Sequence, residues 1–209
     1  MALAPVVRKV AQAYRFGLYA TFRCRADRLW LRGLSRVFGF DPWHASAPFF
    51  CRPYKAHVVE LANSVRPATV VEVGCGLGEI LVRVRARNRL GFDQDASVIR
   101  AARFLHPWRA RWVNSDGAAI VRVLPAGGTI DCLIMVNWIH NLSPAQLAEL
   151  VLPLLPLSRH LLLDAIDADG PKSYRYKHDF AFLEGRVERV SAVREVAEQR
   201  SFVLFRVLQ

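Results

Sequence analysis

The chain has 209 residues, 53% hydrophobic and 22% charged, enough to bury a sizeable core and near the usual size of one domain. No uncharged stretch in the first forty residues approaches the ~20 apolar residues of a spanning helix, and arginines interrupt every candidate signal-peptide core, so a cytoplasmic protein is expected. The net charge of +11 is concentrated at the start: residues 1–59 hold ten Lys and Arg against Asp27 and Asp41, an asymmetry that suits an anionic partner, a membrane surface or a polyanion.

In chain order, the spacing of Val6, Val10, Tyr14, Leu18, Phe22, Leu29 and Leu34, with arginines between, predicts a basic amphipathic helical segment over Val6 to Arg36, broken near Gly17 and again near Gly33. Two arrangements suit it. Its apolar side chains can enter the headgroup layer of an anionic membrane, leaving the protein peripheral on the inner membrane surface, or they can pack on the domain as a lid and leave arginines outside. Cys24, Cys51, Cys75 and Cys132 are scattered without a C-x-x-C pair or a histidine at zinc-ligand spacing, so four reduced thiols and no metal site are expected.

The pattern changes near Pro67, dividing the chain into a basic helical extension and cap over residues 1–66 and an α/β domain over 67–209. Beyond it, short apolar runs alternate with helical stretches, as in βα units of a parallel sheet covered on both faces. Strands are expected at Thr69–Val73, Arg89–Phe92, Arg111–Asn114, Cys132–Asn137 and His160–Asp164. Helices are expected at Gly78–Arg87, Ala96–Phe104 and Ser143–Leu155, the last with Ser143 as N-cap and Pro144 at the first helical position. Val190–Val196 and Ser201–Leu208 read as an antiparallel hairpin, although Val187, Val190, Val193 and Val196 are spaced for a helix as well. The whole is a doubly wound, seven-stranded, mostly parallel sheet with a C-terminal antiparallel hairpin and an N-terminal helical extension.

The densest signal is Glu72-Val73-Gly74-Cys75-Gly76-Leu77-Gly78-Glu79, a buried strand running into a glycine-rich turn. Glycines serve where the backbone turns with positive φ or where a ligand must approach the main chain, and in open α/β sheets ligands bind at the carboxyl ends of strands. A dinucleotide fingerprint needs another glycine where Glu79 stands, and a carboxylate there argues against a pyrophosphate. Asp93, at the end of the second strand, is placed to accept from two ribose hydroxyls, and Asp116, after the third, from an exocyclic adenine amine. With Glu72 at the first, the three acids suit a ligand with an amino group, a ribose and an adenine.

The run Glu72-x-Gly74-x-Gly76-x-Gly78 resembles the first motif of class I, Rossmann-like S-adenosylmethionine-dependent methyltransferases, acid-x-Gly-x-Gly-x-Gly, and the likeness extends over about residues 67–209. It implies that the glycine loop holds the methionine part of S-adenosyl-L-methionine, that Asp93 holds its ribose and that Asp116 approaches its adenine. Members that methylate planar amines carry Asn-Pro-Pro-aromatic or Asp-Pro-Pro-aromatic after the fourth strand. Here Asn137 is kept, next to the cofactor, but the prolines are absent from Asn137-Trp138-Ile139-His140-Asn141.

His140 is the candidate general base for a hydroxyl acceptor, because neutral imidazole accepts a proton at physiological pH; a structural histidine bonded to a backbone group is the alternative. Trp43, His44, Tyr54, Asn141, Tyr176 and His178 are candidate acceptor-site residues, combining aromatic faces with hydrogen-bonding groups. Trp43 serves equally well as a packing residue, and Asp164 and Asp167 read as solvated loop acids. A weaker resemblance of Asp41-Pro42-Trp43-His44 to small methyltransferases from bacterial surface-polysaccharide genes leans toward a glycan or small hydroxylated acceptor. The expected activity is therefore O-methylation of such a hydroxyl. An RNA methyltransferase, suggested by the high pI, and an inactive cofactor-binding module are the alternatives.

Overall fold

The computed structural model describes residues 3–124, 127–167, 169–171 and 173–208, without the side chains of residues 3–16, 18 and 118. Helix α1 (Leu3–Phe38) bends where Gly17 takes φ 74° and ψ 179°, values a side chain would resist. It passes through Gly33 unbroken. The side chains of Val6, Val10, Tyr14, Leu18, Arg8, Lys9 and Arg15 in the expected amphipathic pattern lie outside the described ones. Helix α2 (Pro42–Ser46) is capped by Asp41, whose carboxylate accepts from the Trp43 amide, and α3 (Tyr54–Ser64) follows a short turn at Phe49–Cys51.

Next come β1 (Thr69–Val73), β2 (Asn88–Asp93), α4 (Ala96–Leu105), β3 (Arg111–Asn114), α5 (Ile120–Val123), β4 (Cys132–Met135), α6 (Pro144–Val151), β5 (His160–Ile166), β6 (Val187–Glu195) and β7 (Arg200–Val207). The strands form one sheet in the order β3-β2-β1-β4-β5-β7-β6. β1 to β5 pair in parallel, whereas β7 runs antiparallel to both β5 and β6. The chain winds outward in both directions from the β1/β4 junction, the switch point where such sheets bind ligands beyond their carboxyl ends.

Alternation along the strands sorts the core. Val70, Cys132, Ile134, Leu162, Phe202 and Leu204 pack with Tyr54, Val58, Leu61 and Ala62 of α3 on one face of the sheet. Val71, Val73, Phe92, Leu133, Met135, Leu161 and Leu163 pack with Ile120, Leu147 and Val151 on the other. α1 joins through a third cluster, in which Leu31, Leu34 and Phe40 meet Leu77, Val98 and Ala101.

Several local expectations change. Gly78–Arg87 forms no α-helix; its regular part is a 3-10 turn at Leu81–Arg83. Ile80, Leu81, Val82 and Val84 are all buried, and α3 packs in the same cluster on that side of the sheet. The helix expected to Leu155 ends at Val151 and continues as 3-10 turns through Leu157, because Pro153 and Pro156 cannot continue the α-helical ladder. Its start is as expected, with Ser143 and Gln146 forming a reciprocal capping box. Cys24 and Cys51 are joined in a disulfide, which overturns the reading of four reduced thiols. The packing of α1 on the turn before α3 brings together two cysteines 27 residues apart, a proximity no local spacing announces.

Candidate active site

The glycine loop is built by its backbone. Gly74, Gly76 and Gly78 take φ of 67°, 53° and 77°, the left-handed region open to glycine. Space closes two of these positions to side chains as well: a Cβ on Gly74 would stand 2.2 Å from the Trp138 ring, and one on Gly78 2.1 Å from that of Trp112. The Cys75 amide donates to Phe92 O and the Gly76 amide to Asp93 Oδ2 at 2.9 Å, while the Asp95 amide donates to Asp93 Oδ1 at 3.0 Å. Asp93 thus locks the loop to the end of β2 and still presents carboxylate lone pairs to the space above.

That space is a cavity of about 560 Å³ at the carboxyl ends of β1 to β4, the size of a small-molecule site. Glu72, Gly74, Gly76, Asp93, Asp116, Asn137, Trp43, His44, Tyr54 and Asn141 all line it. Gly78 lies just behind, under Trp112. Glu72 is almost fully buried, and its Oε2 accepts from the Leu81 amide at 3.0 Å. Burial pushes its carboxyl up to about 8, against the pull of Lys55 and of the Leu81 hydrogen bond. Burial also lowers the His44 imidazole below its usual value, opposed by Asp93, Asp95 and Asp41, so neutral imidazole faces the cavity at neutral pH.

The other wall comes from residues 43–55. Lys55 Nζ donates to Glu79 Oε2 and to Ala47 O, both at 2.6 Å, and Glu79 Oε1 accepts from the Phe49 amide at 2.8 Å. Glu79, the residue that departs from a dinucleotide loop, therefore fastens the N-terminal segment to the glycine loop. The Tyr54 ring stacks on Phe202, with the Arg200 guanidinium 3.8 Å from its centroid.

β4 ends at Met135, two residues earlier than expected, because Asn137 turns to φ 75°. Its amide donates to Asp164 Oδ1 at 2.8 Å and its Oδ1 accepts from Arg200 Nη1 at 3.2 Å. Asp164 is not a solvated loop acid: it is fully buried inside β5, 3.1 Å from Arg200 Nη1 and 3.2 Å from His140 Nε2. Burial alone would raise its pKa, but His140, Arg200 and the Asn137 amide together hold it below the usual carboxylate value. Asp167, by contrast, pairs with exposed Arg194.

His140 is fully buried behind the cavity wall and does not line it. Its Nδ1 faces Tyr176 O at 3.1 Å and its Nε2 faces Asp164, so neither nitrogen turns a lone pair toward the cavity. His178 stacks on His140 and bonds Ile139 O through Nε2. Neither His178 nor Tyr176 lines the cavity.

No protein-family model and no curated protein sequence matches the chain. Solved structures do. The N-methyltransferase NodS from Bradyrhizobium japonicum, in complex with S-adenosyl-L-homocysteine, superposes with a TM-score of 0.63 at 15% identity over 85% of this chain and 98% of its own. Magnesium protoporphyrin IX methyltransferase from Synechocystis, also with bound S-adenosylhomocysteine, gives 0.62 at 14% identity over 87% and 100%. The chain has the Rossmann-like methyltransferase fold. An rRNA methylase from Streptococcus thermophilus shares that fold with a TM-score of 0.56 at 12% identity, over 76% of this chain and 98% of its own.

Against this methyltransferase fold, sequence reasoning missed Lys55, Trp138 and Arg200. Lys55 lacks a motif, though a lysine on the apolar face of α3 is a signal. Trp138, whose indole Nε1 donates to Val73 O at 2.6 Å, was legible only as part of an aromatic cluster. Arg200 reads as a turn residue, and the antiparallel pairing of β7 beside β5 is what buries it.

Proposed function

We propose that the protein is an S-adenosylmethionine-dependent O-methyltransferase acting on a hydroxyl of a small or glycan-linked acceptor. The observation that carries this reading is the convergence of Glu72, Asp93 and Asp116, from three successive strand ends, on one cavity floored by the glycine loop. The donor set fits the cofactor. A buried carboxylate with its pKa raised is completed by a cationic amino group, Asp93 is held in place to receive ribose hydroxyls, and Asp116 stands beyond it for the adenine amine. Glu79 at the mouth of the loop disfavours a dinucleotide pyrophosphate.

When bound, the cofactor supplies a methyl group on a sulfonium, already activated for in-line displacement, so positioning provides much of the rate. Trp43, Tyr54 and Asn141 shape the acceptor side. His44, neutral and facing the cavity, accepts the proton of the acceptor hydroxyl, the role the sequence suggested for His140. His140 holds Asp164, which with Arg200 fixes Asn137 at the cavity wall.

Calorimetry with S-adenosylhomocysteine and NAD, followed by product mass over a panel of hydroxylated small molecules, glycans and RNA, tests the reading. Binding of S-adenosylhomocysteine alone and gain of one methyl on a hydroxyl are expected, with His44→Ala removing the acidic limb of the pH profile. NAD binding without a response to S-adenosylhomocysteine, or methylation of RNA alone, overturns it.

A further inference from the structure

The part of α1 beyond Gly17 carries two apolar faces. One, with Ala20, Cys24, Leu31 and Leu34, is buried against the domain, and the Cys24–Cys51 disulfide fixes it there. The other points outward: Tyr19, Phe22, Leu29, Trp30 and Val37 are between 56% and 76% exposed. At 3.6 residues per turn these five fall within an arc of roughly 100°, on the side opposite the buried one. Exposed Arg25, Arg32 and Arg36 line one edge of that arc, and exposed Arg23, paired with Asp27 at 3.1 Å, stands at the other. Asp27 is the one carboxylate in residues 3–38.

Soluble surfaces scatter single apolar residues; a contiguous aromatic and aliphatic stripe edged by cations is the composition of a helix lying in the plane of a bilayer surface. The charges choose among occupants. Two copies joined through this face would bring their arginines together, with Asp27, already paired with Arg23, the one carboxylate of residues 3–38 to compensate. An anionic headgroup layer meets both demands, taking the apolar side chains at its acyl boundary and the guanidinium groups at its phosphates. Among the described residues no helix is long and apolar enough to cross a membrane, so attachment by this face is peripheral.

We propose that the outward face of α1, centred on Phe22 and Leu29, docks the protein on an anionic lipid bilayer. This goes beyond the methyl-transfer reading and does not depend on it. No described residue of α1 lines the site cavity, so the docking face shares no residue with it.

The test is co-sedimentation of the full oxidised chain with phosphatidylcholine vesicles and with phosphatidylcholine–phosphatidylglycerol vesicles. Recovery with the anionic vesicles alone, falling with added salt, is expected. Replacing Arg25, Arg32 and Arg36 together with Glu should lower the partition coefficient by about a hundredfold or more, since each basic residue near the surface contributes about fivefold. Phe22→Ser with Leu29→Ser, or Leu29→Gln alone, should lower it as well while leaving the thermal midpoint nearly in place, because these side chains are 70% and 68% exposed. Equal recovery with neutral and anionic vesicles, or none with either, overturns the proposal. So does loss on changing the arginines with no effect of the apolar changes, which marks a polyanion contact, or a dimer in solution that the Phe22 and Leu29 changes dissociate.

Discussion

Replacing Glu72 with Gln isolates the electrostatics of the cavity floor. The amide is nearly isosteric and keeps an oxygen for the Leu81 amide, so the change removes the titration and little else. In the folded protein burial raises the Glu72 carboxyl from 4.5 to about 8. Between those values the folded state holds a proton that the unfolded chain has released, so stability falls as pH rises through the window and is flat above it. At about 1.36 kcal/mol per pH unit the loss amounts to roughly 3 to 5 kcal/mol. Urea unfolding of both proteins over a pH series reads it directly, because every other group titrates alike in the two: the wild type should lose ground to Glu72→Gln from pH 4.5 to about 8. S-adenosylhomocysteine should reverse the trend, since its amino cation favours ionised Glu72, and its affinity should climb with pH in the wild type only. A stability difference between the two proteins that is independent of pH refutes the argument, for it would mean that the carboxyl is as well solvated folded as unfolded.

Asp93→Ala should cost both stability and affinity: the Gly76 and Asp95 amides lose their acceptor, about 1 to 3 kcal/mol each before water compensates, and S-adenosylhomocysteine should bind roughly tenfold to a hundredfold more weakly. Urea unfolding and calorimetry measure the two effects, and undiminished affinity in the folded variant would remove Asp93 from the ligand. Cys51→Ser opens a loop of 27 residues and should lower stability by about 3.5 kcal/mol in the chain-entropy account, with dithiothreitol bringing the wild type to the same midpoint. A wild-type midpoint indifferent to reductant shows that the two thiols are not paired.

The periodicities of residues 67–209 carried the sheet: five parallel strands and the closing hairpin stand where alternating apolar runs and turn residues put them. The glycine-loop side of the cavity was legible for the same reason, since Glu72, Gly74, Gly76, Asp93 and Asp116 stand at or just after strand ends at fixed spacings. What the sequence hid depends on contacts between distant segments. The burial of Asp164 and His140 needs β7 to lie antiparallel against β5 and deliver Arg200, an arrangement no local pattern encodes. The failure of Gly78–Arg87 to form a helix likewise depends on α3, which precedes β1 and takes the covering position. The cysteine pair belongs to the same class of contact.

The two halves of the cavity come from separate stretches of chain. Trp43, His44, Ala47, Tyr54 and Lys55 make one wall from a short span before β1, while the residues suited to the cofactor lie beyond it. On the proposed reading the first wall serves the acceptor together with Asn141, so exchanging residues 41–55 between relatives should shift acceptor choice and spare the glycine loop, provided that Lys55 and Glu79 are carried across as a matched pair. A graft that brings a new partner for position 55 without a compensating change at position 79 leaves a buried charge stranded at the seam, and that seam, more than the glycine loop, sets how far this scaffold can be redirected.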